Sequence, residues 1–218
     1  VIASHIDNCN ISTIDNNIVM NSIDIIQYNI RTFVDPDLRK VFFLKLRKDK
    51  IAVASLQETR EKAQGIFVSH GYLCCKSGAR KGNHGCQICF SLNIPVLCVD
   101  DIDQYFTKDS LSIIDCSHRH IIVKFCHKHC VVYFVSFHAP YLGCKEDPVK
   151  WWKFLQSRLK IHCGQESHCL YMYDGNSQFY KCDDIQHGSI GILTSSPPAN
   201  FLAMVECMKE QNAAFFTT

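Results

Sequence analysis

Short apolar segments that end in polar residues recur along most of the chain, and they constrain the fold more than any other feature. Their content of Ile, Val, Phe and Tyr predicts β-strands. The predicted strands are Ile23–Asn29, Ile51–Leu56, Tyr72–Cys75, Cys86–Leu92, Ser112–Asp115, His120–Phe125, Val131–Phe137 and Cys169–Tyr173. Helical periodicity marks only a segment capped by Asp35, Asp147–Ile161 and Pro198–Gln211. Strands that outnumber helices in this way predict stacked sheets flanked by helices, not a strict βαβ repeat.

The length of the chain, 218 residues, suits one large domain. We predict that residues 21–218 form this domain. Residues 1–20 are polar and rich in Asn, Asp and Ser, so we expect a flexible lead-in there. The net charge is only +2, and a near-neutral chain has no overall field that attracts nucleic acid. Any contact with DNA must therefore come from a local basic patch.

The chain contains fourteen cysteines, and several lie inside apolar runs such as Cys86-Gln87-Ile88-Cys89-Phe90. A free cysteine in such a run behaves as a small buried hydrophobic residue. No secretory signal is visible at the start, so a disulfide framework is not expected. We interpret the pattern as that of a reducing compartment, nuclear or cytoplasmic. No window reaches the ~18 apolar residues of a membrane span, so no membrane partner is expected.

Polar side chains follow several of the predicted strands at the point where each strand ends. Asn29 ends the first strand, Glu58 follows the second, His138 ends a later one, and Asp174 and Asn176 follow the last. Scaffolds of this type place their functional groups on such loops. One carboxylate, Glu58, is enough to hold a hydrated Mg²⁺ against a phosphate. Asp174 can then position or deprotonate water, and the remaining side chains can donate hydrogen bonds to phosphoryl oxygens.

Four segments resemble, in order and spacing, the motifs of the exonuclease–endonuclease–phosphatase superfamily. They are Ile25-Ile26-Gln27-Tyr28-Asn29, Leu56-Gln57-Glu58-Thr59-Arg60, Ser136-Phe137-His138-Ala139-Pro140-Tyr141 and Tyr173-Asp174-Gly175-Asn176. The amino-acid sequence of the second segment resembles the corresponding motif of LINE-type retrotransposon endonucleases and apurinic endonucleases. Two further features resemble the retrotransposon branch: a Gly-rich turn, Gly82-Asn83-His84-Gly85, and the pair Trp151-Trp152.

This resemblance implies a four-layer α/β sandwich, with two stacked, mainly antiparallel sheets between helices. It implies a Mg²⁺-dependent endonuclease, with Mn²⁺ as a possible substitute, that nicks DNA beside a reverse transcriptase domain of the same element. The implied roles follow the matching positions: Asn29 and Glu58 at the metal, His138 on the phosphate, and Asp174 with Asn176 at the attacking water and the transition-state oxygens. The implied contacts with substrate phosphates are Arg119, Arg60 and His84.

The chain departs from the family pattern in two places. Tyr173 stands where the family has Gly, and Gly175 stands where it has a larger residue. The closing Arg-Ile-Asp-Tyr-like strand and the Ser-Asp-His motif do not occur before Thr218, so we expect a domain that is incomplete at its C-terminus. The missing ending favours an alternative, a catalytically inactive remnant or binding module of the same fold. A phosphatase of the superfamily is a further alternative, although its basic and aromatic substrate loops are not found.

Two short motifs allow more than one interpretation. Trp151 and Trp152 point about 100° apart on a helix, so one is expected in the core, while the other could stack on DNA. The run from Cys126 to Cys130 contains cysteine and histidine, but its spacing differs from that of paired zinc ligands. A hairpin turn between two strands is the expected structure there.

Overall fold

The computed structural model describes residues 2–6, 18–128, 130–164, 168–176 and 199–211. The strands are β1 (Ile2–Ile6), β2 (Ile18–Met20), β3 (Ile23–Asn29), β4 (Ile51–Gln57), β5 (Gly65–Ser69), β6 (Tyr72–Lys76), β7 (Cys86–Ser91), β8 (Leu97–Val99), β9 (Ile102–Gln104), β10 (Leu111–Ser117), β11 (His120–His127), β12 (Cys130–His138) and β13 (His168–Asp174). The helices are α1 (Pro36–Lys48), α2 (Pro148–His162) and α3 (Ala199–Glu210).

The strands form two large sheets that pack face to face. The first sheet has the order β1-β3-β4-β7-β6-β5, and the second has the order β10-β11-β12-β13. A small third sheet contains β2, β8 and β9. One apolar core lies between the large sheets, a second separates the first sheet from α1, and a third separates the second sheet from α2 and α3. The predicted four-layer α/β sandwich is confirmed.

Strand β12 shows how the sequence produces these layers. Side chains alternate between the two faces of a strand. Val132 and Phe134 accordingly belong to the core between the sheets, whereas Val135 and Phe137 belong to the core against α2 and α3. Because both faces of this strand are covered, its sequence is a nearly continuous apolar run rather than an alternation of apolar and polar residues.

Two parallel strand pairs bring the functional ends of the strands together. Helix α1 connects β3 to β4, and helix α2 connects β12 to β13; both pairs are parallel. As the sequence predicted, Asp35 caps α1 by accepting hydrogen bonds from the backbone of Asp37 and Leu38, and Pro36 lies in the first turn. Asp147 caps α2 in the same way. In each pair the carboxyl ends of both strands therefore lie at one edge of the sandwich.

The prediction of a flexible lead-in over residues 1–20 is wrong for two segments. Strand β1 pairs with β3 in antiparallel fashion, and β2 pairs with β8. The physical reason is that β3 would otherwise expose a row of unpaired backbone groups, which an added strand satisfies. Residues 7–17 lie outside the described residues.

Several smaller predictions also have an outcome. Trp151 and Trp152 are both buried, so the alternative of a DNA-stacking tryptophan is wrong. The hairpin turn is confirmed, because His127 pairs with Cys130 across β11 and β12, although His129 lies outside the described residues. Cysteines in β6 and β7 are buried as predicted, and no described cysteine forms a disulfide. Within the described part of the chain, no helix combines the length and apolarity needed to cross a membrane.

Candidate active site

The four motif segments meet at one edge of the sandwich because of the strand registers. Asn29 lies opposite Gln57 in the pair β3–β4, and His138 lies opposite Asp174 in the pair β12–β13. Glu58 directly follows β4. The two pairs belong to different sheets, and the packing of the sheets places their polar ends in contact.

Asn29 connects the two carboxylates of this site. Its side-chain nitrogen donates to Oε1 of Glu58 at 3.0 Å and to Oδ2 of Asp174 at 2.8 Å. Its side-chain oxygen faces away and accepts from the backbone of Arg31 at 3.2 Å. The amide group therefore holds two like-charged side chains at a fixed separation, where they would otherwise repel each other.

His138 and Asn176 complete the polar cluster. Nε2 of His138 lies 3.4 Å from Oε1 of Glu58 and 3.8 Å from Oδ2 of Asp174. The side-chain nitrogen of Asn176 lies 2.9 Å from the same ring nitrogen and donates to the carbonyl of Ala139 at 2.6 Å. Direct contacts thus join five sequence-predicted residues, Asn29, Glu58, His138, Asp174 and Asn176, into one cluster.

The surroundings of the site lower the pKa of both Glu58 and His138. Burial alone would raise the pKa of Glu58, but the hydrogen bond from Asn29 and the charges of His138 and Arg60 outweigh it, so this pKa is lowered. Burial lowers the pKa of His138, and Asp174 and Glu58 only partly offset this effect. A neutral imidazole beside a carboxylate can donate a hydrogen bond to a phosphate oxygen without adding a positive charge to the site.

Backbone strain occurs at four residues of the site. They are non-glycine residues with left-handed φ angles: 56° at Glu58, 59° at Arg60, 63° at His84 and 45° at Asn176. Such conformations are costly for residues with a β-carbon, and they persist where the surrounding structure imposes them. Six other described non-glycine residues, most of them in turns, share this conformation, so the strain accompanies the site without marking it out.

Arg119 lies behind His138 rather than on an open surface. It is only 4% exposed. Its Nε atom is ion-paired with Glu146, and its Nη1 donates to the carbonyl of His138 at 3.2 Å. The backbone of His138 donates in turn to the carbonyl of Arg119 at 2.8 Å. The contact with DNA phosphate that the resemblance implied for Arg119 is therefore not supported, because its guanidinium already holds the His138 peptide.

Arg60 and His84, the other two implied phosphate contacts, border the cluster. Nη2 of Arg60 lies 3.5 Å from Oε2 of Glu58, and the side chain is about half exposed. The ring of His84 lies 5.6 Å from that of His138, measured between centroids. A third histidine, His118, lies 5.5 Å from His84. The sequence analysis missed His118, because no motif marks it, and only its position directly before Arg119 could have drawn attention to it.

A buried polar network joins the sheets beneath the site. Gln57 donates to Ser55 at 2.9 Å and to Ser136 at 3.0 Å, and Ser55 donates to Ser136 at 2.8 Å. Gln27 also exchanges two hydrogen bonds with the backbone of Tyr173. These contacts link β3 and β4 of one sheet to β12 and β13 of the other, so they fix the distance between the two halves of the site.

A second series of hydrogen bonds supports Asn176 from helices α2 and α3. The indole of Trp152 donates to Oδ1 of Asn200 at 2.7 Å, and the side-chain nitrogen of Asn200 donates to the carbonyl of Asn176 at 3.2 Å. Both Trp152 and Asn200 are fully buried. The sequence analysis missed Asn200, since a single Asn near the start of a helix resembles an ordinary polar residue of the first turn.

The residues of the cluster fit a hydrated magnesium ion, but not a site built from many protein ligands. Among the described residues, no group of three or more His, Cys, Asp or Glu side chains is arranged to hold a metal ion. Mg²⁺ commonly uses one or two carboxylates and completes its shell with water and substrate phosphate. Glu58 provides one such carboxylate, and the amide of Asn29 holds it beside Asp174.

No family model and no curated protein matches the sequence. Among solved structures, the endonuclease domain of TRAS1, a telomere-specific non-LTR retrotransposon, matches with a TM-score of 0.53 at 14% identity, covering 86% of this chain and 69% of that one. AP endonuclease LMAP from Leishmania major matches with a TM-score of 0.59 at 12% identity, covering 90% and 67%. At these identities the likeness shows the fold alone: this chain has the same α/β sandwich fold as these two endonuclease structures.

Proposed function

We propose that this chain hydrolyses phosphodiester bonds in a Mg²⁺-dependent reaction and acts as a DNA-nicking endonuclease of the retrotransposon type. One observation carries the proposal: the amide of Asn29 holds the carboxylates of Glu58 and Asp174 together, directly facing the ring of His138. Two carboxylates beside hydrogen-bond donors are the groups that hydrolysis of a phosphate ester requires.

In this proposal Glu58 is the principal metal ligand. Mg²⁺ bound there, or Mn²⁺ in its place, would neutralise charge on the phosphate oxygens. Asn29 assists by keeping Glu58 in position; its nitrogen, rather than its oxygen, faces the carboxylates, so a direct metal contact by Asn29 would require the amide to turn over.

Asp174 takes a proton from the attacking water in this proposal. The water oxygen bonds to phosphorus as the bond from phosphorus to the leaving sugar oxygen breaks; that oxygen takes up a proton from solvent, and the strand is nicked. His138 lies beside both carboxylates with Asn176 next to it, and in this proposal the two donate to the phosphoryl oxygens. Each donor of this kind typically contributes ~3–4 kcal/mol to the lowering of a barrier.

DNA is the proposed partner. Arg60 and His84 border the cluster on its half-exposed side, where they are suited to contact backbone phosphates. A reverse transcriptase domain of the same element remains the proposed protein partner. A binding module of the same fold without turnover is the second candidate.

The test is nicking of a supercoiled plasmid by the purified chain, with Mg²⁺ or with EDTA. Glu58→Gln removes the charge and keeps the shape, and we expect it to abolish nicking. Glu206→Gln is the matched control, because Glu206 is exposed on α3, outside the site. Nicking that persists in EDTA or in Glu58→Gln would refute the proposed mechanism. DNA binding without nicking by the folded wild type would favour the binding module, and phosphate release from monoesters alone would favour a phosphatase.

A further inference from the structure

Three histidine rings form a row along one wall of the candidate site. His138 begins the row at the carboxylates, His84 follows at 5.6 Å between ring centroids, and His118 follows at a further 5.5 Å. The roles proposed for the scissile phosphate use His138; they place His84 near the DNA backbone without saying which phosphate it contacts, and they leave His118 unassigned.

The backbone holds the row rigidly against the strand ends. The carbonyl of His84 accepts from the backbone of Arg60 at 2.8 Å, and the backbone of Gly85 donates to the carbonyl of His118 at 2.8 Å. Gly85 has a φ of +93°, and a β-carbon there would lie 2.7 Å from Oγ1 of Thr59. Glycine therefore suits this close approach to Thr59, next to His84, whose own φ of 63° is also left-handed.

Both outer rings are neutral and lie beside charged side chains. Arg119 and Glu146, which form an ion pair, act on both rings, and Arg80 adds a positive charge near His118. Burial and then the charge of Arg119 lower the pKa of His84 to about 4, so its ring is neutral at pH 7. At His118 burial likewise lowers the pKa, although Glu146 opposes this effect. Each neutral ring can donate one hydrogen bond to a phosphate, which the positive charge of Arg80 attracts.

We propose that His84 and His118 form a second phosphate subsite, which binds a backbone phosphate of the nucleic acid next to the scissile one. The proposal rests on the proposed function, since it assumes that His138 lies at the scissile phosphate. Phosphates follow one another every ~3.4 Å of helix axis along one DNA strand, so a neighbouring phosphate falls within reach of rings that continue the row. The subsite increases affinity for DNA and fixes the position of the strand in the site. It does not provide sequence preference.

The test measures binding without turnover, in EDTA, on short duplexes in which one phosphate at a time is replaced by a neutral methylphosphonate. At one position of this scan, the wild-type chain should lose roughly tenfold in affinity, the loss expected for a hydrogen bond to a charged group. His118→Gln should bind the unmodified duplex as weakly as the wild-type chain binds the duplex modified at that position. Its affinity should not fall further when the same phosphate is replaced. His70→Gln, a change of an exposed histidine in the β5–β6 turn, should behave as wild type.

The outcomes separate this subsite from the proposed nicking activity. If His118→Gln is as sensitive as wild type at every position of the scan, or if its affinity for the unmodified duplex is unchanged, the subsite is refuted, whether or not the chain nicks plasmid. The expected pattern in a chain that does not nick supports the subsite and refutes the activity. Tight binding of Zn²⁺ or Ni²⁺ that depends on His84 and His118, with no effect of either on DNA affinity, would assign the row to a metal instead.

Discussion

The sulfur of Met204 limits the space for a side chain at Gly175. A β-carbon on Gly175 would lie 3.1 Å from Sδ of Met204, which is closer than ordinary contact, and 3.4 Å from Cε2 of Tyr173, which is ordinary van der Waals contact. The Tyr173 ring stacks on Phe137, with centroids 4.5 Å apart, and so lies on the helix side of the sheet. The large residue before Asp174 therefore leaves room for a β-carbon, and helix α3, through Met204, is what favours a small residue after it.

Gly175→Ala should lower the free energy of unfolding by about 1–3 kcal/mol, because it adds a carbon to a closed space. Met204→Ala opens that space, so the double variant should lose less than the sum of the single losses, by at least ~0.5 kcal/mol. Urea unfolding of the wild type, both single variants and the double variant provides the measurement. Additive losses would show that Met204 does not limit the space.

Trp152→Phe should destabilise the protein and also slow nicking. It removes the donor to Oδ1 of Asn200, and a buried acceptor left without a partner costs ~1–3 kcal/mol. Asn200 would then hold the carbonyl of Asn176 less firmly. Trp151→Phe is the matched control, since it removes the same ring from the adjacent position without touching Asn200. Equal nicking rates of the two variants would contradict a role of this chain of hydrogen bonds in positioning Asn176.

Arg119→Lys should reduce kcat about tenfold or more and leave KM nearly unchanged. A lysine ammonium is a point charge and cannot reproduce the fork that joins Glu146 to the carbonyl of His138. Arg119 is a positioning residue here, because it acts through His138.

Arg39→Lys is the control for this change. Arg39 likewise joins a carboxylate, Glu61, to a backbone carbonyl, that of Val34, but does so beside α1. We expect it to lose a similar amount of stability in thermal unfolding while its kcat stays at the wild-type value. A loss of kcat in both variants would attribute the effect to general destabilisation.

Asp115 should make stability depend on pH in the acid range. Burial opposes its charged form, but hydrogen bonds from His120 and Arg158 outweigh burial and hold the pKa of Asp115 well below its ordinary value. A lowered pKa in the folded state stabilises the protein fully above the unfolded pKa, ~3.9, and this stabilisation is lost as pH falls below that value.

Asp115→Asn should therefore cost roughly 1–3 kcal/mol at pH 6 and progressively less towards pH 2. Denaturant unfolding of the wild type and the variant at several pH values gives the two curves. The control is Asp103→Asn, a change of an exposed residue on β9, whose curve should run parallel to that of the wild type. A difference between wild type and Asp115→Asn that stays constant with pH would contradict the role of this carboxylate.

The local features of the fold could be predicted because they depend on residues close together in the sequence. Asp35 and Pro36 mark the start of α1 through hydrogen bonds that span only two or three residues. The apolar run of β12 identifies a strand covered on both faces. The short strands β5, β8 and β9 were missed, because brief segments with exposed residues such as Val68 and Ile102 lack a clear apolar pattern.

By itself, the sequence determined eight of the strands, the cap of α1 and the polar residues at the strand ends, since each depends on side-chain type and local spacing. Only the tertiary structure decided how those ends are used. Asn29 meets Asp174 across 145 positions of the chain, and Arg119 turns inward to hold His138 instead of facing solvent. The physical reason is that contacts between layers depend on how whole sheets and helices pack, and on which buried polar groups find partners, and neither has a local pattern in the sequence.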